Sequence, residues 1–418
     1  MIESVNHPPE PPREALIEAL RSRYGVRDTA VRWVTAPYRV CPLGAHLDHQ
    51  QGVVTALALD RAVTLAYAPA EGPGVRLISR DFPNEVAFAL DAIPDRIPGD
   101  WGNYVRGAAR ALRERGPLAR GIVGVVAGDF AEMGVSSSSA LGIACLLALE
   151  RVNDLDLSLA ENIRLDQRIE NDYLGLRNGI LDQTAILCSR RNRLTLIDCR
   201  AFAASAEVPD SRADGALPPG VALAPLPSSA PPVGILIAFS GLTRALTGTD
   251  YNRRVEECAA AARRLLEAAG RPRAPARLAE VAEDEYRRHR GLLPAPLDRR
   301  AEHFFSESAR VRAGVAAWRA GDLAAFGAQV RESGLSSLRN YECGSAPLAN
   351  LQELLNAQPG VWGARFSGAG FRGSCVAFGT PERLREAAED VAAGYAARHP
   401  ETARRASFTV CVVGEGAR

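Results

Sequence analysis

The chain has 418 residues, 47% of them hydrophobic, enough for two packed cores. Its 50 basic and 49 acidic side chains leave a net charge of +1, which gives no support to a nucleic-acid-binding or membrane-surface role. All 50 basic residues are arginine, because the sequence contains no lysine. A P-loop lysine, a Schiff-base lysine and a kinase-type phosphate lysine are therefore excluded, and any phosphate must be held by backbone amides, arginine or a metal.

The first residues, "MIESVNHPPEPPREAL", lack the charged and apolar regions of a signal peptide. No run reaches the roughly 18 apolar residues that span a bilayer, so the chain reads as soluble and cytoplasmic. The eight cysteines include no CxxC pair, and most sit inside apolar runs. They read as buried free thiols in a reducing compartment.

An amphipathic helix is predicted after the opening prolines, in "PPREALIEALRSRYG". Two strand-rich segments follow, "RWVTAPYRVCPLG" and "GVVTALALDRAVTLAYAPA". Between them "YRVCPLGAHLDHQQG", Tyr38 to Gly52, packs an arginine, two histidines and an aspartate into a turn bounded by glycines. No third ligand stands at metal-site spacing from His46 and His49. The crowding fits a sugar or other small polar ligand.

The strand candidate "RGIVGVVAGDF" feeds "MGVSSSSALGIACLLALERV", Met133 to Val152. One serine would cap such a helix. Four, after a glycine that admits close approach, suggest an anion site at the positive end of the helix dipole. A cap plus an ordinary loop is the other reading.

A helix is predicted over roughly 157–173, leading into "LGLRNGILDQTAILCSR". Asp182 in that segment is either a helix-capping acid or a general base in a partly buried pocket. Residues 209–233 are the most Pro/Ala-rich interval, a linker or a surface excursion. The strand "GILIAFS", a mainly helical stretch from 250 to 358, the glycine-rich "SGAGFRGSC", a helix near 381–397 and the strand "SFTVCVVG" complete the chain. The glycines suggest either close backbone approach or a tight hairpin. Mixed order without an internal repeat predicts an α+β protein.

Taken together and in this order, four of these stretches resemble the GHMP kinases, and within them the galactokinase branch. "GVSSSSAL" stands at that family's phosphate-binding loop and "SGAGFRGSC" at its glycine-rich motif. "RVCPLGAHLDHQQG" is similar to the sugar motif, "GILDQ" to the catalytic-aspartate segment, and "TDYNRRVEEC" to a segment with a sugar-contacting tyrosine. The resemblance implies two domains, divided here at 208/209, with the active site in the cleft between an S5 domain 2-like N-terminal domain and a ferredoxin-like C-terminal one. It implies Asp182 as catalytic carboxylate with Arg39 beside it. Ser138 and Glu170 are implied at Mg²⁺, and Gly134, Ser136, Ser137, Ser138 and Ser139 at ATP. His46, Asp48 and Tyr251 are implied around the sugar. A monomer or small homo-oligomer is expected, with no partner beyond the sugar or uronic acid and ATP.

One position departs from the galactokinase pattern. Where that branch has glutamate in its "GEH" step, this chain has Ala45. A carboxylate there would repel a sugar that itself carried one. With "SGLTRAL", "SGLSSLRNYECG" and "GARFSGAGFRG", the departure resembles the galacturonokinases, which act on the anomeric oxygen of D-galacturonate. Arg244, Arg253 and Arg372 are candidate partners for the substrate carboxylate. Galactose or another aldose is the alternative substrate, and a non-catalytic sugar sensor a remote one.

Overall fold

The computed structural model describes residues 13–130, 133–205, 216–242 and 249–418. Two sheets organise it. The first contains β1 (Arg32–Val40), β2 (Val53–Pro69), β3 (Gly74–Ser79), β4 (Val86–Ala89), β5 (Ile122–Gly128), β6 (Arg193–Asp198) and β7 (Val221–Pro225). Its order is β4-β3-β5-β2-β6-β7, with β1 also paired to β2. The long β2 is nearly all β-branched, leucine or alanine and is buried along most of its length, as a central strand requires.

The second sheet runs β11-β8-β10-β9, every pair antiparallel, from β8 (Gly234–Phe239), β9 (Val361–Phe366), β10 (Ser374–Gly379) and β11 (Ser407–Val412). The α+β expectation is met. The division at 208/209 is not the point at which the chain changes sheets. β7 lies beyond it and hydrogen-bonds to β6 from Val221 to Pro225, so the change falls between Pro225 and Gly234. The last residues also return to the first sheet's side, where the Arg418 N–H donates to the Thr35 carbonyl at 3.1 Å.

The predicted helix over 157–173 forms in two parts. Leu159–Arg168 is α-helical, opened by a capping box in which Ser158 and Glu161 exchange hydrogen bonds. Ile169–Tyr173 then widens into a π-helical turn that carries Glu170. The stretch from 250 to 358 resolves into the helices Thr249–Ala268, Glu283–His289, Leu297–Ala320, Leu323–Ser336 and Ala346–Asn356, and the late helix is Pro381–Arg398. All eight cysteines are buried and unpaired. No helix among the described residues is long and apolar enough to cross a membrane.

Candidate active site

The serine stretch enters from β5 through Gly134 (φ 79°) and Ser136 (φ 62°, ψ 43°), and the helix runs from Ser137 to Val152. Its walls are apolar nearly all round, so it is buried against the first sheet and its mouth is fixed. The expected serine cap is absent: no side chain caps this helix. Its first amides are left for another acceptor. Ser136 instead turns its hydroxyl to Asp182 and donates to Oδ2.

The glycine-rich stretch is the β9–β10 hairpin, and it closes on the serine loop. Ser367 donates to the Gly134 carbonyl at 2.8 Å, and Ser374 to the Met133 carbonyl at 2.6 Å. A Cβ on Gly373 would sit 2.9 Å from the Met133 oxygen, and Gly373 has φ 89°. Both readings of those glycines are therefore met in part: the hairpin is tight, and what it approaches is the chain's own backbone.

Asp182 is the second residue of the helix Leu181–Cys188 and does not cap it. Its Oδ1 accepts from Arg39 Nε at 2.7 Å and from a second guanidinium nitrogen at 2.6 Å, a two-pronged geometry. Arg39 is 4% exposed at the end of β1. Its remaining nitrogen, Nη1, is buried without a partner. The Asp48 carboxylate lies against Gly179, in the turn that leads into the Asp182 helix. Burial and the nearby Asp182 push it up to about 6. A Cβ on Gly179 would meet that carboxylate at 2.4 Å, which explains the glycine of "NGILDQ".

Glu170 is 1% exposed. Ser139 donates to its Oε1 and Asn178 to its Oε2, both at 2.7 Å. The hydroxyl that reaches Glu170 is thus that of Ser139, not Ser138. Ser138 instead lines the larger cavity beside Tyr104. Burial and Asp182 push Glu170 up to about 7, and Asp166, one helical turn away, is held well above the usual carboxylate range. Both oxygens of Asp166 are buried without a partner. Such a concentration of buried carboxylate oxygen is short of positive charge.

Two cavities meet at the serine loop. One, of about 580 Å³, is lined by Gly134, Ser136, Ser137 and Ser138 together with Phe82, Trp101 and Tyr104. The other, of about 390 Å³, brings together Arg39, Ala45, His46, Asp48, Tyr251, Asp182 and Arg372. Ser139 and Glu170 line neither. Arg253 lies on the surface of its helix, paired with Glu257 at 3.0 Å, and is not a cavity residue. Arg244 lies outside the described residues.

Behind Ala45 the structure holds a cluster that the motifs do not identify. His46 stacks on Tyr341 at 3.9 Å between ring centroids, and His303 Nε2 meets the Ala45 carbonyl at 3.0 Å. Burial lowers His46 well below its usual range, His49 to about 3 and His303 to about 4, so all three are neutral at pH 7. The buried Arg365 lines the second cavity and is fixed by Ser333, Ser337 and the Phe366 carbonyl. Its counter-ion Glu307, 3.7 Å away, is shared with Arg310 at 2.7 Å, so two guanidiniums face one carboxylate. His303, Glu307 and Arg310 recur at helical spacing on Leu297–Ala320, the one sequence signal for this cluster.

Residues 103–190 match the GHMP kinases N terminal domain and 315–397 the GHMP kinases C terminal. The galacturonokinase of Arabidopsis thaliana is 42% identical over 96% of this chain and 96% of its own. This chain belongs to the GHMP kinases. The galactokinase of Roseiflexus sp. (strain RS-1) is 33% identical, covering 96% of this kinase and 95% of its own length. Among solved structures, Lactococcus lactis galactokinase complexed with galactose superposes with a TM-score of 0.85 at 26% identity, over 97% of this chain and 99% of that one. A mevalonate kinase, at TM-score 0.60 and 13% identity over 91% and 99%, shares the fold. The protein is a sugar kinase of α+β GHMP architecture.

Proposed function

We propose that the kinase transfers the γ-phosphoryl group of ATP to the anomeric hydroxyl of D-galacturonate, giving galacturonate 1-phosphate and ADP. One observation carries the choice of a uronate. The sugar-side cavity has Ala45 where a neutral-sugar kinase would have a carboxylate, and behind it Arg365 is only half-neutralised by the shared Glu307. The resulting excess of positive charge in a poorly solvated wall favours an anionic sugar. The likeness to the Arabidopsis protein supports the same substrate. Galactose is the second reading, supported by the galactokinase relatives and the galactokinase fold match.

In this reading the larger cavity takes ATP, with the open amides of the serine helix, Gly134, Ser136, Ser137 and Ser138 toward its phosphates. The smaller takes the sugar, with His46, Asp48 and Tyr251 toward its hydroxyls. Asp182 accepts the proton of the anomeric hydroxyl, and Arg39 and Ser136 hold that carboxylate in register. The unpartnered Arg39 Nη1 is a buried donor available for charge that develops on the transferred group.

The all-oxygen donor set and the surplus of buried carboxylate fit Mg²⁺, which Ser138 and Glu170 would hold while Ser139 and Asn178 orient Glu170. Bound there, the ion would neutralise phosphate charge. The chain itself supplies alignment and proton acceptance. We further place the lobe boundary between Pro225 and Gly234 and the protein in the cytoplasm, as a monomer or small homo-oligomer with small-molecule partners alone.

A coupled ADP-release assay over galacturonate, glucuronate, galactose and arabinose tests the reading. The highest kcat/KM is expected with galacturonate. A preference for galactose would transfer the assignment to the second reading.

A further inference from the structure

The two cavities share a stretch of wall. Gly134, Ser136 and Ser138 form one side of it, and Ala369, Phe371 and Arg372 the other. A phosphoryl group that leaves the nucleotide for the sugar has to cross this wall. Among the described residues that line both cavities, Arg372 is the one charged side chain.

The charge balance at the crossing is unfavourable without it. Asp48 and Asp182 line the sugar cavity, Glu170 and Asp166 lie buried near Asp182, and a triphosphate adds more negative charge. With no lysine in the chain, the available cations are arginines. Arg39 lines the sugar cavity alone and, with two nitrogens on Asp182, keeps only Nη1 for the phosphoryl group. Arg365 is turned toward Ser333, Ser337 and Phe366, on the sugar side alone. Arg96 lines only the nucleotide cavity and donates to the Leu174 carbonyl at 2.7 Å.

Arg372 is also held from both directions. A Cβ added to Gly134 would lie 3.7 Å from the Arg372 carbonyl, so its backbone packs on the serine loop. The next residue, Gly373, has its carbonyl taken by the Ser240 hydroxyl at 2.7 Å and the Ser240 N–H at 3.0 Å. Arg372 lines the larger cavity together with Tyr104, Ser137 and Ser138. Burial pushes Tyr104 up to about 12, and Ser138 and Arg372 oppose that push. The cation therefore stands beside the first turn of the serine helix.

We propose that Arg372 is a catalytic residue that donates hydrogen bonds to the non-bridging oxygens of the γ-phosphoryl group as it passes between the cavities. It does not serve the sugar carboxylate. The inference rests on the assignment of the two cavities to nucleotide and sugar. In the step it assists, the anomeric oxygen forms its bond to the γ-phosphorus and its proton goes to Asp182. The bond from that phosphorus to the β–γ bridging oxygen breaks, and ADP leaves with the electron pair. The spread of charge over the three outer oxygens is what a planar guanidinium matches best.

The test compares wild type, Arg372→Ala and Arg372→Lys, each checked for an unchanged thermal melt, by steady-state kinetics and by calorimetric titration with a non-hydrolysable ATP analogue and with ADP. Arg372→Ala is expected to lose about 100-fold in kcat and to lose the preference for the triphosphate over ADP, with ADP affinity kept. The KM for sugar should move less than about threefold, and Arg372→Lys should recover part of kcat. A large rise in sugar KM with triphosphate binding unchanged would overturn the inference in favour of the carboxylate role, and so would a variant that matches wild type throughout. The binding arm does not depend on which sugar is used, so a wrong sugar assignment leaves it intact. A wild-type protein that binds neither nucleotide would sink the cavity assignment and the inference with it. If Arg372→Ala does not fold, Arg372→Gln, which removes the charge and keeps most of the volume, carries the same comparison.

Discussion

Replacing Ala45 with glutamate puts a second carboxylate beside the one a bound uronate carries. Ala45 is 5% exposed on the sugar-side wall, and its carbonyl is held by His303 at 3.0 Å, so the new side chain faces the sugar cavity with little contact with bulk water. Two unit charges about 5 Å apart at an effective dielectric constant near 20 repel by about 3 kcal/mol. For a substrate carrying a carboxylate, that corresponds to about 150-fold in kcat/KM. Ala45→Gln has almost the same volume without the charge and separates repulsion from crowding. The assay is ADP release with galacturonate and with galactose for wild type and both variants. The glutamate variant should lose far more than the glutamine variant on galacturonate, and the two should be alike on galactose. Equal losses for the two variants on galacturonate would refute the electrostatic reasoning and leave steric exclusion as the only effect.

Asp182→Asn should lower kcat by at least about 100-fold with the fold intact, read by steady-state turnover beside a thermal melt; near-normal turnover would remove it as proton acceptor. Ser138→Ala should raise the Mg²⁺ concentration needed for half-maximal rate, and an unchanged metal titration would count against its role as a ligand. Asp48 is raised to about 6, so its charging costs folding free energy as pH climbs through that value and costs nothing once the group is protonated. Asp48→Asn should therefore be more stable than wild type at pH 8, by up to about 3 kcal/mol in urea unfolding, with the gain vanishing toward pH 4. Glu307→Gln leaves Arg310 and Arg365 without their shared carboxylate and should cost about 3–5 kcal/mol of stability in the same unfolding assay. A loss below about 1 kcal/mol would mean that water screens the cluster.

Much of the fold and part of the site could be read from local pattern. Strand, small-residue loop and apolar helix follow one another over 122–152, and the length of the apolar run locates that helix. The "GILDQ" and "GAHLDH" segments are short and polar within apolar surroundings, which marks Asp182, His46 and Asp48 before any coordinates. Legibility ended where the partner is distant in sequence. Whether Ser138 or Ser139 meets Glu170 depends on the rotation of the first helical turn against a π-helical turn 31 residues later. The Ala45–His303 and Gly44–Glu307 contacts span more than 250 residues, and nothing in a one-dimensional pattern pairs them. Arg253 was misleading because an arginine on an exposed helical face and one that faces a cavity have the same local sequence environment. The 208/209 division followed composition, yet a Pro/Ala-rich interval does not prevent the next strand, β7, from joining the first sheet.

The central claim is that this kinase phosphorylates a uronic acid at its anomeric oxygen. Phosphorus NMR of the mixture after incubation with ATP, Mg²⁺ and D-galacturonate tests it most directly. A new phosphomonoester resonance coupled to a single anomeric proton is expected, growing in step with ADP. ADP formation without that resonance, or a product signal obtained from galactose and not from galacturonate, would contradict it.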